Sequence, residues 1–289
     1  MKRTPQSYNQ PLRGEQIDGE PLTLKSGDEK SRGQAQSRRD ILKTTLGVTA
    51  AGIFSTAFAN PISVAKAATI QKDALMQTKA FVYTEVQISV PFTEAPWREV
   101  NQAIKKQPGF INKTWFSGVN NNSLGGIYAF DSIENAQKFV TGYFPEEAAG
   151  FGAAHNTRIF DAMIVKAASK DMGSPHFGID PWKKPGAFVY TEVQVNVPFE
   201  KAPWPDRNPI LKQQPGLIAK TWLSGLHTNT LGGVDAFDTV ENAQIFALQD
   251  FPKTAAKMNA AFYTRVFDAS VTEEASRDMH SPFYAYQNS

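Results

Sequence analysis

One chemical pair occurs twice in the chain: Lys113 with Trp115, and Lys220 with Trp222. In an extended segment the i, i+2 spacing puts both side chains of a pair on one face. An indole can stack on a planar substrate, and a neighbouring ammonium can stabilise a phenolate or an oxyanion. The competing reading makes the indole a packing residue, with the lysine stem across it and its head in solvent. A second pair recurs as Tyr83 with Glu85 and Tyr190 with Glu192. On a buried face, a carboxylate with a raised pKa could take a proton from a phenol. A buried ionised carboxylate also needs a partner, so the competing reading pairs these glutamates with Arg158 and Arg265 on the neighbouring fourth strand.

The four histidines do not recur: His155 aligns with Phe262, and His227 with Asn120. His155, just before a strand, is a candidate base in the first copy only. No two histidines have H-x-H or i, i+4 spacing, so no metal site is expected. The absence of cysteine excludes disulfides, iron–sulfur clusters, thiolate zinc and a cysteine nucleophile. Gly125-Gly126 and Gly232-Gly233 lie between two strands with no P-loop lysine after them, and read as a tight entry to the third strand. No G-x-S-x-G nucleophile elbow is present.

The elements that position these residues come in duplicate. At a constant offset of 107 residues, Phe81-Val82-Tyr83-Thr84-Glu85-Val86-Gln87 recurs as Phe188-Val189-Tyr190-Thr191-Glu192-Val193-Gln194. Gln107-Pro108-Gly109 and Glu134-Asn135-Ala136-Gln137 recur at the same offset. A unit of ~100 residues repeated twice is a duplicated domain rather than a solenoid. Each copy reads strand, helix, strand, strand, helix, strand. Strands are expected at 81–90, 110–118, 125–130 and 157–166, with helices from Trp97 and after an Asp131 cap. That order is the ferredoxin-like motif. Both alternating sets on the first strand are apolar enough for burial, so two copies can cover each other sheet to sheet. The expected fold class is therefore α+β: two tandem ferredoxin-like repeats forming an intrachain α+β barrel. The chain divides into a leader (1–67), a first repeat (68–180), a Pro/Gly/Lys linker (181–187) and a second repeat (188–289).

Charge supports a small-molecule role. The whole chain carries +2, but residues 68–289 hold 20 basic and 22 acidic side chains, which gives no footprint for nucleic acid. No apolar stretch reaches the ~18 residues of a membrane span. Residues 1–36 are polar and aperiodic. Then come Ser37-Arg38-Arg39-Asp40-Ile41-Leu42-Lys43, a weakly apolar run, and A-x-A sites at Ala57-Phe58-Ala59 and Ala65-Lys66-Ala67. This stretch resembles a twin-arginine signal, which implies the export machinery as a partner and a periplasmic or secreted location.

The run Gln107-Pro108-Gly109-Phe110-Ile111-Asn112-Lys113-Thr114-Trp115, followed by Gly125-Gly126-Ile127-Tyr128-Ala129-Phe130, resembles the YdhR-like mono-oxygenase family. The second copy matches through Lys220-Thr221-Trp222 and Gly232-Gly233-Val234-Asp235-Ala236-Phe237. The resemblance implies a dimeric α+β barrel with a pocket between sheet and helices. It also implies oxygenation of a small aromatic, phenolic or quinol compound by O₂, with no metal, flavin or other cofactor. Tyr83, Trp115, Tyr128, Tyr190 and Trp222 would bind substrate. Lys113 and Lys220 would polarise it, with Glu85, Glu192 or His155 as proton acceptor. Asp235 in place of Tyr128 makes the two pockets non-equivalent. Two other classes stay open: a periplasmic binder of a small hydrophobic ligand without catalysis, and a haem protein, for which only His155 or His227 could be the axial ligand. The duplication predicts a monomer with an internal pseudo-twofold axis.

The leader generates the first prediction. Replacing Arg38 and Arg39 together by lysine should leave uncleaved precursor in the cytoplasm, read by fractionation and immunoblotting. Normal delivery of the double variant would show another route.

Overall fold

The computed structural model describes residues 77–285, together with Asp73 and Leu75. The leader, with Arg38 and Arg39, lies outside the described residues. β-Branched and aromatic residues alternating along each strand form two antiparallel sheets. The first has β1 (Ala80–Gln87), β2 (Phe110–Ser117), β3 (Ser123–Phe130) and β4 (His155–Asp161), in the order β2-β3-β1-β4. The second has β5 (Ala187–Gln194), β6 (Leu217–Ser224), β7 (Thr230–Phe237) and β8 (Phe262–Asp268), in the order β6-β7-β5-β8. This is the ferredoxin-like topology, twice. Short helices join the strands: α1 (Trp97–Ile104) and α2 (Ile133–Lys138), then a π-helical turn (Phe139–Tyr143) and α3 (Phe144–Gly150). Their counterparts in the second repeat are α5 (Trp204–Leu211), α6 (Val240–Ile245), a π-helical turn (Phe246–Asp250) and α7 (Phe251–Lys257).

Period-two alternation sends Phe81 and Tyr83 of β1 to one face, and Ala80 and Val82 to the other. The first set meets Phe188 and Tyr190 of β5 in a core between the two sheets. At its centre the rings of Tyr83 and Tyr190 stack 3.9 Å apart. The second set packs under the helices of its own repeat. The sheets also touch at two corners, through single antiparallel bridges Gly118–Phe267 and Phe160–Gly225. Among the described residues the sheets are thus joined at corners, and no continuous hydrogen-bonded cylinder closes.

Several local expectations change. The fourth strand ends at Asp161 rather than Lys166, and a helix follows it: α4 (Lys166–Asp171), with α8 (Glu273–Asp278) as its counterpart. Each of these arms crosses to the other repeat and lies along the free edge of its second strand. The Lys113 backbone N–H donates to Met279 O (3.1 Å) and the Trp115 N–H to Ser276 Oγ (2.9 Å). In mirror fashion, Lys220 N–H donates to Met172 O (3.1 Å) and Trp222 N–H to Ser169 Oγ (2.9 Å). The short α2 is capped by Ser132, whose side chain accepts from the Asn135 N–H, and not by Asp131. Asp131 instead accepts from the Asn135 side chain.

His176 follows the α4 arm and is fully buried between Phe81 (ring centroids 5.0 Å) and Phe283 (5.5 Å). Neither ring nitrogen has a hydrogen-bond partner among the described residues. Burial pulls its pKa down to about 3. The unfolded chain therefore takes up this proton first, and stability is lost as pH falls from the ordinary 6.5 towards 3. At pH 4.5 the loss is roughly 2–3 kcal/mol. His176→Phe, which imports the second repeat's own residue at this position, should lower the midpoint of acid unfolding followed by circular dichroism. An unchanged midpoint would contradict the assignment.

Candidate functional site

The sheet divides the expected site residues. Tyr83, Glu85, Tyr190 and Glu192 face the other repeat, whereas Lys113, Trp115 and Tyr128 face the helices. Strand pairing puts Val82, Tyr128 and Lys113 in one row across the sheet, which fixes the side they share. Glu85 and Glu192 thus cannot be bases for a substrate held over Lys113, because a layer of backbone separates them. The glutamates instead tie the repeats together. Glu85 accepts from Tyr83 Oη (2.9 Å) and Tyr263 Oη (2.7 Å) and pairs with Arg265 (3.1 Å). Glu192 accepts from Tyr190 Oη (2.5 Å) and pairs with Arg158 (3.4 Å). The arginines are those expected, but each reaches the glutamate of the opposite repeat. Burial, followed by the neighbouring glutamate, raises the pKa of both Tyr83 and Tyr190.

On the helix face of the first repeat, Lys113 is fully enclosed, with no head in solvent. Its Nζ lies 2.8 Å from the centroid of the Trp115 ring and 4.5 Å from that of Tyr128. Burial drives the lysine pKa well down, opposed by the charge of Glu147. The Trp115 indole N–H donates to Asn101 Oδ1 (2.8 Å), and Asn101 in turn donates to Ala275 O and Asp278 of the crossing arm. Thr84 Oγ1 donates to Tyr128 Oη (3.3 Å). The π-helical turn and α3 supply Phe139, Phe144, Tyr143 and Glu147. Tyr143 Oη donates to Glu147 Oε1 (2.5 Å). Burial raises the Glu147 pKa, against that hydrogen bond and the pull of Lys113. Burial raises Tyr128 and Tyr143 as well.

Space for the lysine is made by glycine. Gly126 lies inside β3; a Cβ there would sit 2.9 Å from Lys113 Cε and closer still to Thr114 O. The corresponding Cβ on Gly233 would sit 2.4 Å from Lys220 Nζ. The glycine pairs therefore leave a bay into which the lysine folds back.

The second repeat keeps the bay and changes its contents. Lys220 Nζ donates to both oxygens of Asp235, at 2.8 and 2.9 Å, and both side chains are buried. Trp222 is half-buried and repeats the indole bond, to Asn208 (2.9 Å). Asp250 and Thr254 stand where the first repeat has Tyr143 and Glu147. His155 is exposed at the start of β4, its ring edge-on to Phe144 (5.6 Å) at the rim of the first site. His227 is exposed in a turn, with φ 56°. Among the described residues no group of three or more His, Asp or Glu could hold a metal ion, and no helix is long and apolar enough to cross a membrane.

Tyr143 and Glu147 escaped the sequence reading, although comparing the copies marks them: both change where Tyr128 changes to Asp235. Residues 83–171, which hold this whole cluster, match the protein-family model described as "Putative mono-oxygenase ydhR". The first repeat is ydhR-like. The ydhR match begins on β1 and ends with α4, and the second repeat shares its strand and glycine pattern through the internal duplication. No curated protein matches the chain in sequence. Among solved structures, an anthrone oxidase-like protein is 14 % identical, with a TM-score of 0.44, over 66 % of this chain and 91 % of its own. A Fusobacterium nucleatum protein described as a "Putative monooxygenase" is 10 % identical (TM-score 0.41; 66 % and 92 % covered). Chlorite dismutase from Candidatus Nitrospira defluvii is 6 % identical (TM-score 0.40; 72 % and 99 % covered).

A lysine whose pKa is pushed down costs stability wherever the unfolded chain is the more protonated. That cost is present at pH 7 and fades as pH rises towards the ordinary lysine value near 10.4. Lys113→Met should therefore melt a few degrees higher than wild type at pH 7, with the gap narrowing above pH 10. A lower melting temperature at pH 7 would show Lys113 to be a structural cation.

Proposed function

We propose that the chain is a mono-oxygenase-like enzyme whose working site is the helix face of the first sheet. The observation that carries this reading is the buried Lys113 side chain, its Nζ over the rings of Trp115 and Tyr128 and beside the Tyr143–Glu147 pair, inside the ydhR-like span. The substrate class that fits is a small phenol or quinol. Indole and phenol rings stack on a planar ring, and the lysine faces the oxygen that becomes electron-rich. Phe139 and Phe144 wall off water. A phenol and O₂ together balance as a quinone and water, so the substrate supplies all the electrons and the reaction calls for no added reductant. The ydhR likeness supports the reaction class, and the two enclosed rings support the aromatic substrate. The site belongs, in this reading, to an exported monomer with internal pseudo-twofold symmetry.

The test is O₂ uptake and product formation by the mature chain across hydroquinones, naphthols and catechols. Trp115→Ala should raise KM by about 2- to 12-fold, from a stacking loss of roughly 0.5–1.5 kcal/mol. Lys113→Met should mainly lower kcat, because the charge it meets develops during the reaction. Tight aromatic binding without O₂ uptake on any of these compounds would make the protein a ligand carrier instead.

A further inference from the structure

We propose that the outer helix surface of the second repeat is a docking surface for an anionic lipid bilayer. The proposal stands apart from the site reading above, and neither depends on the other. The duplicated chain supplies the comparison, because one fold carries two different outer surfaces. The first repeat has Lys138, Thr141, Glu146, Gly150 and His155, all exposed. At the offset of 107 residues the second repeat has Ile245, Leu248, Lys253, Lys257 and Phe262, also exposed. Leu248 is 68 % exposed, Phe262 46 % and Ile245 41 %. The first repeat folds with polar residues or glycine at these places, so the fold itself does not demand apolar ones.

The apolar positions form one strip. Ile245 ends α6 and Leu248 follows three residues later in the π-helical turn, which makes them neighbours along one helix face. Phe246 and Ala247 take the inward side of that turn and are buried in the core beneath the helices. Phe251, three residues beyond Leu248, meets the Phe262 ring edge-on at 5.9 Å. Apolar surface thus runs from the end of α6 to the start of β8. Large apolar side chains standing singly in water are ordinary, whereas several in one strip mark an interaction surface.

Charge selects the partner. Residues 133–155 hold three acidic side chains and one basic, a net −2, whereas residues 240–262 hold two of each. The two lysines of the second segment, Lys253 and Lys257, lie one turn apart on α7, the helix that leads towards Phe262. Lys253 reaches Asp250 only at 3.5 Å, and 68 % of its side chain stays in water. A second copy docked here about a twofold axis would bring the same lysines to both sides of the contact. An anionic bilayer meets them with opposite charge, admits Leu248 and Phe262 among its acyl chains, and needs no matching groove.

The test is sedimentation of the mature chain with vesicles of phosphatidylcholine, alone or mixed equally with phosphatidylglycerol. Wild type should bind the mixed vesicles at least tenfold more tightly, and about 0.5 M salt should remove the difference. Leu248→Ser with Phe262→Ser should weaken that binding at least tenfold. Lys253→Ala and Lys257→Ala should each cost about fivefold on mixed vesicles and nothing on neutral ones. All four positions are exposed, so the variants should keep the wild-type melting temperature. Phe151→Ser, at an equally exposed place in the first repeat, should leave binding unchanged, as should Trp182→Ser in the linker. Absence of vesicle binding by wild type, or equal binding to both kinds of vesicle, overturns the proposal. So does binding that survives the Leu248 and Phe262 changes, or that falls as far in Phe151→Ser or Trp182→Ser. A wild-type dimer in light scattering that Leu248→Ser with Phe262→Ser makes monomeric, without vesicle binding, would overturn it in favour of a contact between copies.

Discussion

Each second strand in this protein has a free edge, and that edge is satisfied by the other repeat. An exposed row of strand N–H groups invites pairing with whatever chain is near. Here the C-terminal arm of one repeat closes the edge of the next, through Met279 and Ser276 on β2 and through Met172 and Ser169 on β6. The same arm also fixes the face that carries Lys113 and Trp115. It receives the backbone N–H groups of Lys113 and Trp115 and braces Asn101, which holds the indole. Ala275 and Met279 enter the core beneath the first repeat's helices, and Met172 enters that of the second. Neither site is complete within its own repeat.

The core between the sheets does a different job. The Tyr83–Tyr190 stack and the two crossed Glu–Arg pairs hold the repeats in register across a face that would otherwise be apolar throughout. The arginines are each nearly half exposed, so those pairs contribute modestly to stability and more to alignment. The Lys220–Asp235 pair is another case, with both charges out of water. Removing one partner alone would strand the other, at a cost of about 3–5 kcal/mol. In the first repeat Tyr128 stands in place of that aspartate, and Lys113 Nζ lies over the rings of Trp115 and Tyr128.

Topology and duplication were legible in the residues, because strand alternation, Pro-Gly stops and a gapless 107-residue offset are all local signals. The side each residue faces was legible only within one strand. Lys113 and Trp115 were rightly put on one face, but nothing local says that Tyr83 points the opposite way across the sheet; that depends on the register of β1 against β3. The α4 and α8 arms were missed because six-residue helices carry too little periodicity, and their stability comes from a partner far away in sequence. The glycine pairs were placed in the third strand, but what they make room for was not legible, for a related reason. A glycine in a strand signals a close approach, and what approaches is a lysine from the neighbouring strand, visible only once the strands are paired.

Fusing the two copies has a consequence for how such a protein can change. In a dimer of identical subunits every substitution appears on both sides of the symmetry axis, so neither site can be altered while the other is preserved. In one continuous chain the axis binds the backbone but not the genes behind each half. Asp235, Asp250 and Thr254 can therefore stand in one molecule with Tyr128, Tyr143 and Glu147 at the matching positions. Because each arm lends its support to the opposite half, a copy that changes is still needed as scaffold for the other.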